Sequence, residues 1–174
     1  MRISRRKRSR PYHSWAAFNS CWFGLAGRPW TEGAARLLEH GLVDRDTAQA
    51  ITRLWHFGQL IGNTDMHDGN LSFKSGISAE TIPLDLAPAY DMLPMLYAPQ
   101  RGVELPTVSF TPRLPMPAER EPWQDAATAA VEFWSRAADD ARISAEFRTI
   151  CVDNQHSVRK TAGLLGGDAN PVSP

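Results

Sequence analysis

Apolar residues recur at three- and four-residue steps in three long stretches of the chain, which is the spacing of helices that lie on a core. The first stretch follows Asp44, a residue type that caps helices, and ends at Gly62 and Asn63, which leave the helical region at low cost. Its apolar face comprises Ala50, Ile51, Leu54, Trp55, Gly58 and Ile61. The other two stretches, residues 123–138 and 143–158, predict two packed C-terminal helices.

A shorter helix is predicted upstream of these stretches. Thr31 is its expected N-cap, and Gly41 is its expected left-handed C-cap. The aromatic-rich residues 11–30 follow neither a 3.6-residue nor a two-residue period, so they predict no regular element.

An alternation of apolar and polar residues predicts a small hairpin in the middle of the chain. Its first strand comprises residues 71–73, and its second comprises residues 81–86, after a turn rich in Ser and Gly at 74–79. Pro83 restricts the second strand to an edge or a bulge, because its nitrogen has no hydrogen to donate. Together with the helices, the hairpin predicts an α+β fold that is mostly helical.

Seven prolines between residues 93 and 122 exclude a long helix there. We interpret this part as a segment that wraps over the surface, with one short strand at residues 108–110. Beyond the last helical stretch, the glycines and proline of residues 162–174 predict a tail that frays.

Composition fits an ordinary globular protein with one core, since 43% of the 174 residues are apolar. Cys21 and Cys151 offer neither a disulfide framework nor the spacing of a metal site, and no signal-peptide pattern is present. No stretch approaches the ~20 apolar residues needed to cross a bilayer. We therefore expect a cytoplasmic protein without a membrane partner.

Positive charge is concentrated at the start of the chain, where six of the first ten residues are Arg or Lys, although the whole chain is formally neutral. Such runs are usually solvated and disordered, and some bind nucleic acid, but no aromatic residues are interleaved here for base stacking. We divide the chain into a basic, irregular lead-in at 1–30, a folded domain at 31–160 and a flexible tail at 161–174.

Three oxygen-bearing side chains have the spacing of a phosphoryl-transfer site. Asp65 and Asn70 lie five positions apart, and Asp91 follows the predicted hairpin. A kinase-type catalytic loop needs an aspartate that holds the acceptor hydroxyl and, five residues on, an amide oxygen that helps to bind magnesium. Taken singly, each residue is more often a turn or cap residue, but their joint spacing favours catalysis.

The runs IGNTD (61–65), NLSF (70–73) and LAPAYDMLPM (86–95) resemble the C-terminal lobe of the HipA-like serine/threonine kinases, in particular the YjjJ-like branch. The resemblance implies a protein-kinase-like C-terminal lobe in which the small hairpin carries the catalytic and metal-binding loops. It also implies ATP as co-substrate, Mg²⁺ as cofactor and a protein hydroxyl as acceptor.

The resemblance assigns roles to individual residues. Asp65 would be the catalytic base, and Asn70 and Asp91 would be magnesium ligands, which is the oxygen chemistry that this ion prefers. The residues expected to support the loop are His67, Gly62 and Gly69.

Neighbouring side chains are expected to hold this site in place. The ring of His67 would make a hydrogen bond within the loop rather than titrate in catalysis. We expect Asp68 to be exposed, and we expect Tyr90 and Met92 to pack so that they orient Asp91.

The sequence contains no glycine-rich phosphate loop, and none of Lys7, Lys74 and Lys160 lies on a plausible strand that precedes a helix. HipA-like kinases carry these elements upstream of the matched lobe. We therefore expect a fragment that lacks the ATP-binding lobe, with a non-native lead-in and weak ATP affinity on its own. The family also implies a protein substrate and a helix-turn-helix antitoxin or DNA-binding partner in a toxin–antitoxin pair.

Two other functions fit parts of the pattern. His56, the pair His67 and Asp68, and Asp91 imitate the ligand order of metal-dependent phosphohydrolases, although imidazole ligands favour transition metals over magnesium. A non-catalytic remnant that binds DNA or a partner through its basic arm is the other alternative.

Overall fold

The computed structural model describes residues 12–74, 83–99 and 108–166. Within these ranges the chain is mostly helical, with one small antiparallel sheet, so the predicted α+β class is confirmed. The helices are α1 (Trp15–Phe18), α2 (Trp30–Glu39), α3 (Arg45–Leu60), α4 (Arg120–Asp139) and α5 (Ala145–Gly166). The strands are β1 (Tyr12–Ser14), β2 (Ser72–Lys74) and β3 (Asp85–Leu86). The basic arm at 1–10 lies outside the described residues.

The chain divides into two compact units, where the composition predicted one core. The sheet unit contains the described residues of Met1–Ile51 and His67–Tyr90, and the helical unit contains those of Thr52–Met66 and Asp91–Pro174. The boundary between the units falls within α3 and again on either side of the hairpin.

The sheet has the order β1-β2-β3, and both pairs of neighbouring strands are antiparallel. The predicted hairpin of β2 and β3 is therefore confirmed, but β3 is shorter than expected: Pro83 precedes it, and residues 81–82 lie outside the described residues. Strand β1 comes from the aromatic stretch for which no element was predicted. It pairs with β2, so that His13 lies opposite the fully buried Phe73.

Helix α2 belongs to the sheet unit and begins two residues earlier than predicted. Its N-cap is Pro29, and Thr31 lies inside the first turn, so the predicted cap at Thr31 is wrong. Proline is tolerated at this position because its φ of −52° suits the ring and no helical hydrogen bond requires its missing N–H. The predicted left-handed Gly41 is confirmed, with φ of +66°. A Cβ on Gly33 would lie 2.6 Å from the buried Trp15 ring, so the missing side chain lets helix and indole touch.

Helix α3 begins and ends as its sequence predicts. The Asp44 carboxylate accepts the Thr47 N–H at 2.7 Å, and this hydrogen bond lowers the pKa of Asp44. At the other end Gly62 is left-handed, with φ of +72°. Its N–H and that of Asn63 donate to carbonyls of the last helical turn, which is a Schellman motif.

The helical unit is built on α4 and α5, which pack against each other as predicted. Its fully buried core includes Leu60, Ile61, Trp123, Trp134, Cys151 and Val158. The Trp134 indole N–H donates to the Leu60 carbonyl at 3.0 Å, which ties α4 to the end of α3. Pro122 lies in the first turn of α4, where no N–H is needed. The predicted fraying tail began at residue 162. Helix α5 instead continues to Gly166, so residues 162–166 are helical.

The proline-rich segment contains no long helix in its described residues, as predicted. It forms two single 3-10 turns, Met95–Tyr97 and Pro117–Glu119. The strand predicted at 108–110 is wrong, because these residues pair with no strand in the part of the chain that the structure describes. Phe110 instead packs its ring against Trp134, with centroids 6.1 Å apart. None of the helices in the described ranges is long and apolar enough to span a bilayer.

Candidate functional site

A single buried side chain, that of Asn63, joins two loops of the helical unit. Its Oδ1 accepts the backbone N–H of Asp65 at 2.9 Å, and its Nδ2 donates to the backbone carbonyl of Asp91 at 3.2 Å. Asn63 is only 6% exposed, and its place in the chain is fixed by the Schellman motif at the end of α3. The backbones of Asp65 and Asp91 are thereby held by the two ends of one amide.

The backbone of Asp91 is in the left-handed region, with φ of +56°, and Asp91 is the one non-glycine residue with positive φ among the described residues. An L-residue pays about 1–2 kcal/mol for this conformation, less for Asp than for most. The hydrogen bond from Asn63 to its carbonyl stabilises the strained conformation. Such residues concentrate at functional sites, where surrounding contacts over-determine the backbone.

Two methionines, each next to one of these aspartates, meet at a glycine of α3. Met66 follows Asp65 and Met92 follows Asp91 in the chain. A Cβ placed on Gly58 would overlap the Met66 Sδ and would lie 3.1 Å from the Met92 Cε. The missing side chain at Gly58 therefore lets both methionines pack against the helix. The expected packing role of Met92 fits this contact.

The loop after Met66 belongs to the sheet unit and forms a 3-10 turn, Asp68–Asn70. The Nδ1 of His67 accepts the backbone N–H of Gly69 at 3.0 Å, so the ring proton of the neutral imidazole is on Nε2. The Asn70 N–H donates to the His67 carbonyl at 3.0 Å, and Asn70 itself is buried. A Cβ on Gly69 would lie 2.8 Å from the His67 ring, so a larger residue here would require this ring to move.

Asp68 is not exposed as predicted but half-buried, because it accepts a hydrogen bond from the amide of Asn19 at 2.7 Å. Asn19 is fully buried, and its Oδ1 accepts the Leu25 N–H at 2.6 Å. This contact ties the His67–Asn70 turn to the segment after α1. No periodic signal in the sequence singles out Asn19, since it lies in the aromatic stretch without a pattern.

Tyr90 holds the same turn through its hydroxyl. The phenol is within 2.8 Å of the Ser72 Oγ and donates to the Gly69 carbonyl. The ring is 42% exposed, so Tyr90 acts through hydrogen bonds rather than through the packing that the sequence suggested.

Comparison with known proteins gives the family. The model of the HipA-like C-terminal domain matches residues 24–161, which is most of the chain. The chain belongs to the HipA-like C-terminal domain family. It is 36% identical over 131 residues to "Toxin YjjJ" of Escherichia coli K12, a match that covers 75% of this chain and 29% of that relative. This HipA-like domain thus matches less than a third of the relative's length. No solved structure matches it.

Some of the predicted site residues belong to the helical unit of the HipA-like domain, and the others belong to the sheet unit. Asp65, Gly62 and Asp91 belong to the helical unit, and both aspartates are exposed. The remaining predicted residues, His67, Gly69 and Asn70, belong to the sheet unit. The residues that sequence reasoning missed are Asn63, Gly58 and Asn19.

His56, a metal ligand in the phosphohydrolase alternative, is a buried residue rather than part of an open site. His56 is buried in α3, with its Nε2 3.4 Å from the Glu119 carboxylate. Burial lowers the pKa of His56, while the nearby Glu119 charge opposes this shift in part. Within the described ranges no three His, Cys, Asp or Glu side chains group as a metal centre. His56 is therefore best described as a buried core histidine of the HipA-like domain.

Proposed function

We propose that this HipA-like domain transfers the γ-phosphoryl group of ATP to a serine or threonine hydroxyl of a protein. The observation that carries the proposal is the Asn63 amide, which holds the backbones of Asp65 and Asp91 together. The family and the spacing of Asp65 and Asn70 support the same assignment.

Asp65 is the proposed base. Its carboxylate is exposed, while its backbone is anchored by the hydrogen bond to Asn63, so the side chain can meet a substrate without moving the loop. It accepts a hydrogen bond from the acceptor hydroxyl and directs the oxygen towards the γ-phosphorus. As the new O–P bond forms, the bond from phosphorus to the leaving oxygen of ADP breaks, and the hydroxyl proton passes to Asp65.

Asn70 and Asp91 are the proposed magnesium ligands. Their donors are an amide oxygen and a carboxylate, the hard oxygen ligands that suit this ion, and neither imidazole nor thiolate is required. Bound magnesium would offset the negative charge of the phosphates. The strained backbone of Asp91 fits a ligand that must be held in one orientation. The proposed role of Asn70 is supported by its spacing from Asp65 and by the family resemblance.

A toxin–antitoxin context is part of the proposal. The E. coli relative is named a toxin, and this supports a partner of the antitoxin type. The helix-turn-helix of that partner and the protein substrate are implied by the family resemblance alone. We propose that both apply to this chain.

Transfer of labelled phosphate from Mg–ATP to protein tests the proposal. The chain would be assayed alone and with a supplied ATP-binding lobe of a HipA-like kinase, because the sequence has no phosphate loop of its own. Asp65→Asn should lower the rate by about 10²–10⁴-fold, the usual contribution of a general base. Asp91→Asn should lower it as well.

Asp139→Asn is the matched control, since Asp139 is exposed at the end of α4 and distant in sequence from the motif. It should leave the rate unchanged. Transfer that survives in Asp65→Asn at the wild-type rate would contradict the proposal.

A further inference from the structure

A cleft of about 370 Å³ opens in the helical unit beside the proposed base. Its polar lining includes Gln59, Asn63, Thr64, Ser109, Thr111 and Arg113. This volume falls in the range of about 300–1,000 Å³ that is usual for ligand pockets.

The cleft adjoins Asp65 through the chain itself. Thr64 directly precedes Asp65, and Asn63 accepts the Asp65 N–H. Whatever occupies the cleft therefore lies next to the backbone of the proposed base. An acceptor hydroxyl held by Asp65 belongs to a polypeptide that must continue over the neighbouring surface.

The chemistry of the lining suits a peptide backbone. Three hydroxyls and the side-chain amide of Gln59 both donate and accept hydrogen bonds, which is what the unpaired N–H and C=O groups of an extended segment require. Gln59 and Gly62 lie at the C-terminal end of α3, where the partial charge of the helix is negative. That wall disfavours the several negative charges of a triphosphate more than the single charge of one carboxylate.

Among the described residues that line the cleft, Arg113 is the one with a positive charge. Its guanidinium is exposed and forms no ion pair with a carboxylate in the described ranges. Its backbone is fixed, because the buried Trp123 indole N–H donates to its carbonyl at 3.0 Å. An arginine with an anchored backbone and with no carboxylate partner among the described residues suits a single acidic side chain.

We propose that this cleft binds the acceptor segment of the protein substrate, and that Arg113 pairs with an acidic residue near the acceptor serine or threonine. The inference rests on the proposed phosphoryl transfer and adds its substrate class: hydroxyl residues next to Asp or Glu.

Fluorescence anisotropy with short fluorescein-labelled peptides tests the inference without requiring turnover. One peptide carries a central serine flanked by aspartates, and its matched peptide carries asparagines instead. The intact chain should bind the acidic peptide about tenfold more tightly, the usual effect of one charge-assisted hydrogen bond. Arg113→Gln should abolish this preference, and Arg113→Lys should retain part of it.

Arg136→Gln is the matched control, because Arg136 is an exposed arginine of the same unit that already pairs with Glu132. It should keep the full preference. The inference is overturned if the intact chain binds neither peptide, or if Arg113→Gln keeps the preference. It is also overturned if Arg113→Gln weakens binding of Mg–ATP instead of the peptide, which would make the cleft a nucleotide site.

The variant Asp65→Asn separates this inference from the proposed activity. It should keep the Arg113-dependent preference for the acidic peptide while transferring phosphate about 10²–10⁴-fold more slowly. Binding that depends on Arg113, together with no phosphate transfer in any mixture, would contradict the activity and support the cleft assignment. Phosphate transfer, together with a peptide affinity that does not depend on Arg113, would support the activity and contradict the cleft assignment.

Discussion

The side-chain amide of Asn63 donates a hydrogen bond of 3.2 Å to the backbone carbonyl of Asp91, 28 residues away in the chain. The same amide accepts the N–H of Asp65 at 2.9 Å. Because Asn63 is buried and follows a helix whose end is fixed by Gly62, it acts as a rigid support for two exposed carboxylates. The strained backbone of Asp91 is stable only in the presence of such a support.

Replacement of Asn63 should lower both stability and activity. Asn63→Ala leaves the Asp65 N–H and the Asp91 carbonyl without this partner, which should cost about 1–3 kcal/mol in urea unfolding. Asn63→Asp keeps the acceptor for Asp65 but brings a carboxylate oxygen against the Asp91 carbonyl. We expect it to be destabilising as well, and to reduce phosphate transfer. Unchanged unfolding midpoints in both variants would show that the bridge contributes nothing.

Substitutions of Asp91 should separate stability from activity. Glycine adopts a positive φ without strain, so Asp91→Gly should be about as stable as the wild type or slightly more stable. Asp91→Ala should lose about 1 kcal/mol, because alanine tolerates the left-handed region less well than aspartate. Both variants should lose phosphate transfer. Urea unfolding and the transfer assay check the two expectations, and a strongly destabilised glycine variant would contradict the proposed backbone strain.

The close packing at Gly58 gives a prediction with a control in the same unit. Gly58→Ala should destabilise the protein by about 1–3 kcal/mol, because the new methyl overlaps Met66 and crowds Met92. Gly163→Ala, in α5, meets no atom within 4 Å, so it should stabilise by up to about 1 kcal/mol through helix propensity. Thermal unfolding of the two variants checks the opposite signs. Equal shifts would argue against packing at Gly58.

Local signals in the sequence predicted the parts of the fold that depend on neighbours in the chain. The Asp44 cap, the left-handed Gly62 and the packed helices α4 and α5 all follow from residue types within a few positions of one another. Helix caps and apolar periodicity are short-range properties, so a single sequence contains them.

Long-range contacts escaped prediction. Strand β1 forms because residues 12–14 pair with residues 72–74, and Asp68 is held by Asn19, 49 residues away. The role of Asn63 likewise depends on Asp91, so its sequence context showed only the end of a helix. None of these three pairings leaves a periodic pattern in the chain. The aromatic stretch is ordered by partners that its own sequence does not reveal.

The two thiols should differ in reactivity. Cys151 is fully buried, and burial raises the pKa of its thiol to about 11, so its thiolate is scarce and inaccessible at neutral pH. Cys21 is exposed. Titration with a chromogenic disulfide reagent should modify one thiol in the folded wild type and none in Cys21→Ser, until denaturant is added. Rapid reaction of folded Cys21→Ser would contradict the burial of Cys151.

Protonation of His56 should make the helical unit less stable in mild acid. Burial lowers its pKa in the folded state below the ordinary value of 6.5, so the unfolded chain binds the proton more readily. The folded state is therefore favoured fully above pH 6.5, and this contribution is lost as the pH falls below it. The Glu119 carboxylate, 3.4 Å from the ring, limits the loss without reversing it. Urea unfolding of wild type and His56→Gln between pH 7.5 and 5.5 should show a steeper decline for wild type, and parallel declines would mean that His56 is protonated equally in both states.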